Sequence, residues 1–145
     1  MAKKPKQLVP KEERALVPGD PLRRYLMEVS KFPILTEEIE KKLMASYQAT
    51  GDREAARQLV GSHLRLVVKI AMEYRSAYWN LMDLIQEGNL GLVTAIQKFN
   101  PEKGARLGYY ATWWIRAFIL KYILDNFRLI KIGTTKTQRK LFYNL

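Results

Sequence analysis

The sequence predicts an all-α fold, a compact multi-helix domain preceded by a flexible basic arm. Apolar residues recur at the i, i+3, i+4, i+7 spacing of an amphipathic helix, first across residues 22–29. Capping signals stand in front of such stretches, as where Asp20 precedes Pro21 and where Thr36 precedes a run of glutamates. With 145 residues, 48% of them apolar, the chain is long enough for the hydrophobic core of one domain.

Caps and turns divide the chain into elements. Residues 1–19 are predicted as a mobile arm, because they carry basic residues among prolines and have little to bury. The predicted helices are residues 21–29, 37–50, 53–75 and 81–99, an aromatic helix ending near Arg128, and, after an extended exit at 130–133, a last helix from Thr135. We expect residues 20–133 to form the helical domain and residues 134–145 to begin a following helix or linker.

The aromatic helix carries two stripes of side chains at about 100° per residue. The first consists of Tyr110, Trp113, Trp114, Ala117 and Lys121, and the second of Ala111, Ile115, Phe118, Ile119 and Tyr122. The second stripe suits packing on a core, whereas flat π surfaces beside positive charge suit unstacked nucleic-acid bases and phosphates. The pattern alone leaves two interpretations open: a helix buried all round, or one that exposes an aromatic binding face.

Positive charge is concentrated in the last third of the chain. Of the net charge of +11, residues 98–145 contribute +8, from ten basic and two acidic residues, and residues 1–97 contribute +3, from fifteen and twelve. Such one-sided charge indicates a polyanionic partner, with nucleic acid ahead of an acidic protein or an anionic membrane. A basic face that serves only solubility is the alternative.

The predicted fourth helix has polar residues in its first half and glycines inside an apolar pattern. The polar residues are Asp83, Gln86, Glu87 and Asn89, and the predicted core face is Leu84, Ile85, Leu92, Val93 and Ile96. Gly88 and Gly91 each disfavour a helix by about 1 kcal/mol. They indicate either the close approach of another backbone or a tolerated irregularity on a solvated face.

The residues contain no catalytic or metal-binding constellation. The absence of cysteine excludes a disulfide framework, a thiolate nucleophile and a cysteine-based zinc site. Asp83 and Glu87 could share a cation, but no third ligand is in register. His63, the one histidine, has no acidic partner in register, which predicts a satisfied or surface side chain. We therefore predict a protein that is not an enzyme, uses no cofactor or metal, and resides in the cytoplasm without a membrane partner, because no signal peptide or membrane-spanning run occurs.

A series of motifs runs through the chain in a fixed order. They are DPLRRYL at residues 20–26, HLRLVV at 63–68, DLIQEGN at 83–89 followed by Gly91-Leu92, Lys98-Phe99, and YATWWIR at 110–116. This series resembles the core of the main family of bacterial RNA polymerase sigma factors, over about residues 20–145. The tail QRKLFYNL at residues 138–145 is similar to the opening of the segment characteristic of heat-shock sigma factors.

The resemblance implies two binding surfaces on an all-helical domain. Through Asp83, Gln86, Glu87 and Asn89, the domain would dock on the clamp coiled coil of the largest subunit of core RNA polymerase. The aromatic helix would open the minus-ten promoter element and read its non-template strand. Regulators of the chaperone or anti-sigma kind are further partners that such a factor would have.

The resemblance also assigns roles to the residues that would contact promoter DNA. Trp113 and Trp114 would form a wedge that replaces a stacked base, and Tyr110 would stack under a flipped adenine. The pocket would be completed by Phe99, Lys103 and Arg106, and Lys121 would hold a phosphate. Flipping a base costs a few kcal/mol and stacking it on an aromatic returns about 1–3 kcal/mol, so captured bases would favour the open duplex without ATP.

The chain departs from housekeeping sigma factors at several positions. Those factors have glutamine at the position of Ala117, threonine at that of Leu120 and phenylalanine at that of Leu107. Alanine and leucine cannot make bidentate base contacts, so we expect a different promoter sequence. The helix-turn-helix domain that reads the minus-thirty-five element, on the order of a hundred residues, does not follow, so we expect an N-terminal fragment.

Three rival interpretations stay open at this point. The first is a housekeeping or another alternative sigma factor, which promoter preference would distinguish. The second is a generic single-strand-binding protein, which would bind any sequence with similar affinity and need no polymerase. The third is a basic helical protein of the membrane surface, which liposome flotation would exclude.

Overall fold

Helices make up all the regular structure in the part of the chain that the computed structural model describes, residues 20–76 and 80–130, with side chains as far as residue 127. They are α1 (Pro21–Ser30), α2 (Glu37–Thr50), α3 (Arg53–Glu73), α4 (Leu81–Lys98), a 3₁₀ turn (Pro101–Lys103) and α5 (Leu107–Ile130). The predicted all-α class is therefore confirmed. The arm at 1–19, the end of the predicted exit and the last helix from Thr135 lie outside the described residues.

Local capping explains where the helices begin and end. The carboxylate of Asp20 accepts a hydrogen bond from the backbone N–H of Leu22 at 2.8 Å, and Thr36 caps α2. Gly51 has φ of 69°, a left-handed conformation that favours glycine, and its N–H donates to the carbonyl of Tyr47. Several predicted boundaries differ from the structure by one or two residues: α1 ends at Ser30, α3 at Glu73 and α4 at Lys98, where the sequence predicts ends near residues 29, 75 and 99. The extended exit predicted from residue 130 is also wrong there, because α5 continues through Ile130.

The described residues divide into two compact units, the first ending at Arg65 and the second beginning at Leu66, with the boundary inside α3. In the first unit, a Cβ atom at Gly61 would overlap the ring of Phe32, so only glycine leaves that ring in place. Arg65 donates hydrogen bonds to the carbonyls of Ser30 and Phe32 at 2.9 and 2.6 Å. α3 therefore holds the segment that follows α1 by shape and by hydrogen bonding. The buried apolar side chains here are Val29, Met44, Ala55 and Leu59.

His63 has an acidic partner that its own helix does not reveal. Its Nδ1 atom lies 2.8 Å from the carbonyl oxygen of Leu59, which can only accept a hydrogen bond. Its Nε2 atom lies 3.3 Å from Oε1 of Glu40, a glutamate that is only 6% exposed. The expectation of no acidic partner in register holds along α3, but α2 supplies the partner across space. His63 is therefore a satisfied interior side chain.

In the second unit, α4 and α5 pack against each other around one apolar core. The residues that this core buries are Val67, Ile70, Ala71, Leu84, Ile85, Leu92, Ala95, Ile96, Leu107, Ala111, Ile115, Ile119 and Ile123. A Cβ atom at Gly91 would lie 2.6 Å from the carbonyl oxygen of Trp114, so this glycine marks the close approach of two helix backbones. The prediction of Val93 as a core residue is wrong, because its side chain is 39% exposed. None of the described helices combines the length and apolarity needed to cross a bilayer.

Candidate functional site

The outer face of α5 is an exposed ridge of apolar and aromatic side chains, which we call the aromatic ridge. It consists of Tyr109, Trp113, Ala117 and Leu120, all exposed, with Trp113 at 65%. On the opposite face, Ala111, Ile115 and Ile119 are completely buried. Of the two interpretations that the sequence left open, the helix with one buried and one exposed face is therefore correct. A large exposed indole on a helix is available to a partner.

Beside this ridge, four rings form a continuous row that we call the aromatic ladder: Phe99, Tyr110, Trp114 and Phe118. Successive ring centroids lie 5.6, 6.4 and 6.3 Å apart, within the range of favourable aromatic pairs. The ammonium of Lys98 lies 5.9 Å from the Trp114 ring centroid, a cation–π contact. The two neighbouring tryptophans thus have different surroundings: Trp114 is half-buried in the ladder, and Trp113 projects from the ridge.

The cations of α5 that border the aromatic ridge are both paired with carboxylates. Nη1 of Arg116 lies 2.7 Å and Nη2 lies 3.4 Å from the two carboxylate oxygens of Glu73, at the end of α3. Lys121, which was predicted to hold a phosphate, lies 3.2 Å from the carboxylate of Asp125 one turn further on. A hydrogen bond to Tyr74, together with those to Glu73, raises the pKa of Arg116 above its usual value.

Lys103 and Arg106 are exposed in the loop between the ladder residue Phe99 and the start of α5. The loop is shaped by Asn100, whose side chain accepts a hydrogen bond from the N–H of Glu102 at 2.9 Å. Because Phe99 ends α4 and the N–H of Tyr110 donates to the carbonyl of Arg106, the loop keeps both cations at the ladder end of α5. Lys103 and Arg106 thus lie in the loop that leads from Phe99 to Tyr110, the first two rings of the ladder.

The outer face of α4 forms a second exposed ridge, which we call the α4 ridge: Gln86, Leu90, Val93 and Gln97. Leu90 and Val93 are 54% and 39% exposed, and sequence reasoning missed both as candidates for binding. Their i+4 and i+7 spacing from Gln86 is the signal that could have found them.

The other predicted docking residues lie on the flanks of the α4 ridge rather than on its crest. Asp83 and Glu87 are half-buried on one flank and Asn89 is half-buried on the other. The hydroxyl of Tyr122 donates to the carboxylate of Asp83 at 3.4 Å, so Asp83 also contributes to the packing of α4 against α5. Within residues 20–76 and 80–130, no three acidic or histidine side chains converge as metal ligands would.

The sequence of this chain is similar to those of known proteins over most of its length. Residues 59–128 match the family described as Sigma-70 region 2. The chain is 52% identical over 126 residues to the RNA polymerase sigma-C factor of Myxococcus xanthus, covering 87% of this chain and 42% of that protein. It is 52% identical over 124 residues to the RNA polymerase sigma factor RpoH of Rhizobium radiobacter, covering 86% and 41%. The corresponding RpoH of Caulobacter vibrioides is 51% identical over 128 residues, covering 88% and 43%.

The matched segment contains both ridges and the ladder. Residues 59–128 include all of α4 and the part of α5 that carries Trp113, Trp114 and Lys121. The chain spans about two fifths of the length of the curated relatives that it matches. From the matched segment and the agreement of these relatives, the chain belongs to the RNA polymerase sigma factor family, through a Sigma-70 region 2 domain.

Proposed function

We propose that this chain is the part of a heat-shock-type sigma factor that binds core RNA polymerase and opens the minus-ten promoter element. The observation that carries the proposal is the pair of distinct exposed ridges on α4 and α5. The α4 ridge combines glutamines with apolar side chains, and the aromatic ridge of α5 is bordered by cations. A protein that joins a polymerase to DNA needs two such surfaces, and neither requires catalytic residues. The factor would act in the cytoplasm, with residues 20–133 as its core domain.

The α4 ridge is the docking surface for the clamp coiled coil of the largest subunit. Gln86 presents an amide at its N-terminal end, and the exposed side chains of Leu90 and Val93 supply apolar area on the same side. Apolar anchors surrounded by polar groups are typical of protein interfaces. Glu87 and Asn89 then contribute polar contacts at the rim, and Asp83 supports the surface from beneath through Tyr122.

The aromatic ridge and ladder hold the opened non-template strand. Trp113 is exposed enough to replace a base at the edge of the melted region, and Tyr110, held between Phe99 and Trp114, offers a ring for a flipped base. Stacking a base on an aromatic side chain is worth about 1–3 kcal/mol. Lys103, Arg106 and Lys121 attract the strand's phosphates, so binding energy alone favours the open state.

The heat-shock assignment rests on two supports. Two of the three relatives described above carry the name RpoH. In addition, Ala117 and Leu120 lie exposed on the aromatic ridge, where apolar side chains can contact a thymine methyl group but cannot make bidentate hydrogen bonds. The promoter sequence should therefore differ from the housekeeping one, and chaperone or anti-sigma regulators would control the factor.

Core RNA polymerase lacking sigma factor tests the proposal by co-elution with the 145-residue chain on a sizing column. We expect the wild-type chain to co-elute at micromolar concentration. Gln86→Ala and Glu87→Lys should each weaken binding about tenfold, equivalent to about 1.4 kcal/mol, because the first removes an exposed amide of the ridge and the second reverses a rim charge.

Glu28→Lys is the matched control for the charge reversal at Glu87. Glu28 is exposed on α1 in the first unit, where it pairs with the exposed Lys31 one turn away. This variant should therefore co-elute as the wild type does. Failure of the wild-type chain to co-elute would instead favour the generic single-strand-binding protein, which needs no polymerase.

A further inference from the structure

The cations that border the aromatic ridge are held by carboxylates of the chain itself. Seen along α5, Arg116 lies about 60° from Trp113 on one side, and Lys121 lies about 80° from it on the other. The carboxylate of Glu73 accepts hydrogen bonds from Nη1 and Nη2 of Arg116 at 2.7 and 3.4 Å. The carboxylate of Asp125 lies 3.2 Å from the ammonium of Lys121. The face that would meet DNA thus carries its own anions, one on each side of the ridge.

We propose that Glu73 is a specificity-determining residue that occupies Arg116 as an internal substitute for a DNA phosphate. The inference rests on the proposed function of the aromatic ridge as a DNA-binding surface. Carboxylates and phosphates are recognised by the same planar fork of guanidinium donors. A phosphate that takes the same two donors of Arg116 must therefore displace Glu73.

The geometry favours exchange only for a strand that is already positioned. Duplex DNA of arbitrary sequence approaches a ridge whose flanking cations are neutralised, so its electrostatic attraction is reduced. A strand whose bases stack on Trp113 holds its phosphates next to Arg116 at a high effective concentration. Both side chains of the pair are about two fifths exposed, so the exchange needs no change in the fold. Glu73 consequently weakens non-specific binding more than specific binding.

Asp125 has the same role at Lys121, but its pairing is weaker. The side chain of Lys121 is 80% exposed, and the pair joins neighbouring turns of a single helix with one hydrogen bond. Such exposed pairs contribute little. The Arg116–Glu73 pair, with two hydrogen bonds between different helices, is therefore the main restraint.

The test measures the affinity of Glu73→Gln and of wild type for two DNAs. The first is a mixed-sequence duplex of about two helical turns, and the second is DNA that the wild-type holoenzyme selects from a random pool. We expect the variant to bind the mixed duplex about threefold more tightly at low salt, the range of an exposed ion pair. The slope of log K against log salt should become more negative by up to about 0.9, which corresponds to one additional phosphate contact. Binding of the selected DNA should change less, so the specificity ratio falls.

Glu54→Gln is the matched control, because it also removes a carboxylate from a two-hydrogen-bond pair with an arginine. Glu54 binds Arg57 at 3.1 and 3.4 Å in the first unit, away from α5 in the chain. This control should leave the salt slope unchanged, whereas Asp125→Asn should change it in the same direction as Glu73→Gln but less. Circular dichroism confirms that each variant is folded.

The outcomes separate this inference from the proposed function. If wild type binds DNA and Glu73→Gln has the affinity and slope of Glu54→Gln, the inference is wrong and the proposed function stands. A loss of affinity in Glu73→Gln also overturns it, since Glu73 would then be orienting Arg116 for binding. If neither wild type nor any variant binds DNA at low salt, the proposed DNA-binding surface fails with it.

Discussion

Replacing Trp113 with alanine is expected to weaken promoter opening about tenfold to a hundredfold while leaving the fold unchanged. The indole is 65% exposed on the aromatic ridge, so its removal takes little from the core. A stacked base loses about 1–3 kcal/mol of binding energy when its aromatic partner is truncated. The measurement is the affinity of the reconstituted holoenzyme for fork-junction DNA with an unpaired non-template strand. Urea denaturation of the free chain should show a free energy of unfolding within about 0.5 kcal/mol of wild type.

Trp114→Ala is the matched comparison for Trp113→Ala, because it makes the same change at the adjacent position. Trp114 packs between Tyr110 and Phe118, and aromatic pairs contribute about 0.5–1.5 kcal/mol each beyond their buried area. We expect this variant to lose stability as well as DNA binding. Equal losses of stability in the two variants would contradict the distinct surroundings that the structure assigns to them.

Gly91→Ala is expected to lower the free energy of unfolding by about 2 kcal/mol, the balance of overpacking and a gain in helix propensity. The added methyl would lie 2.6 Å from the carbonyl oxygen of Trp114 and 3.0 Å from Cα of Ile115. Both are backbone atoms that no side-chain rotation can move, so α4 and α5 must separate. Since these helices carry the two ridges, polymerase and DNA binding should fall together. Urea denaturation followed by far-ultraviolet circular dichroism gives the change in stability.

Gly88→Ala provides the control for Gly91→Ala on the same helix. Its methyl would meet Cγ1 of Val67 at 2.7 Å and Cδ1 of Ile119 at 3.2 Å, which are the ends of side chains. These can shift, so the loss of stability should be smaller, under about 1 kcal/mol. A Gly91→Ala variant as stable as wild type would show that the helices do not approach as closely as the structure indicates.

Most helix positions follow from the sequence because their causes are local. Asp20 and Thr36 cap helix N-termini and Gly51 caps a C-terminus, each through hydrogen bonds to residues close by in the chain. Their positions in the chain are therefore sufficient to predict where these helices begin or end. The aromatic and basic composition of α5 is likewise a property of the sequence, and the motifs of the chain indicated its family. The burial of the α5 side chains could not be predicted from the sequence, because both a buried helix and an exposed ridge agreed with the pattern around Trp113.

By itself, the sequence determined the all-α class, the helix caps and the motifs that resemble sigma factors, because each depends on neighbours along the chain. Only the tertiary structure decided which side chains face outward and which charges meet. It exposed Val93, and it paired His63 with Glu40 and Arg116 with Glu73. Each of those pairs joins residues on different helices. The physical reason is that burial and Coulomb attraction depend on distances in space. Helical periodicity gives the direction in which a side chain leaves its helix, but it does not say which other residues lie in that direction.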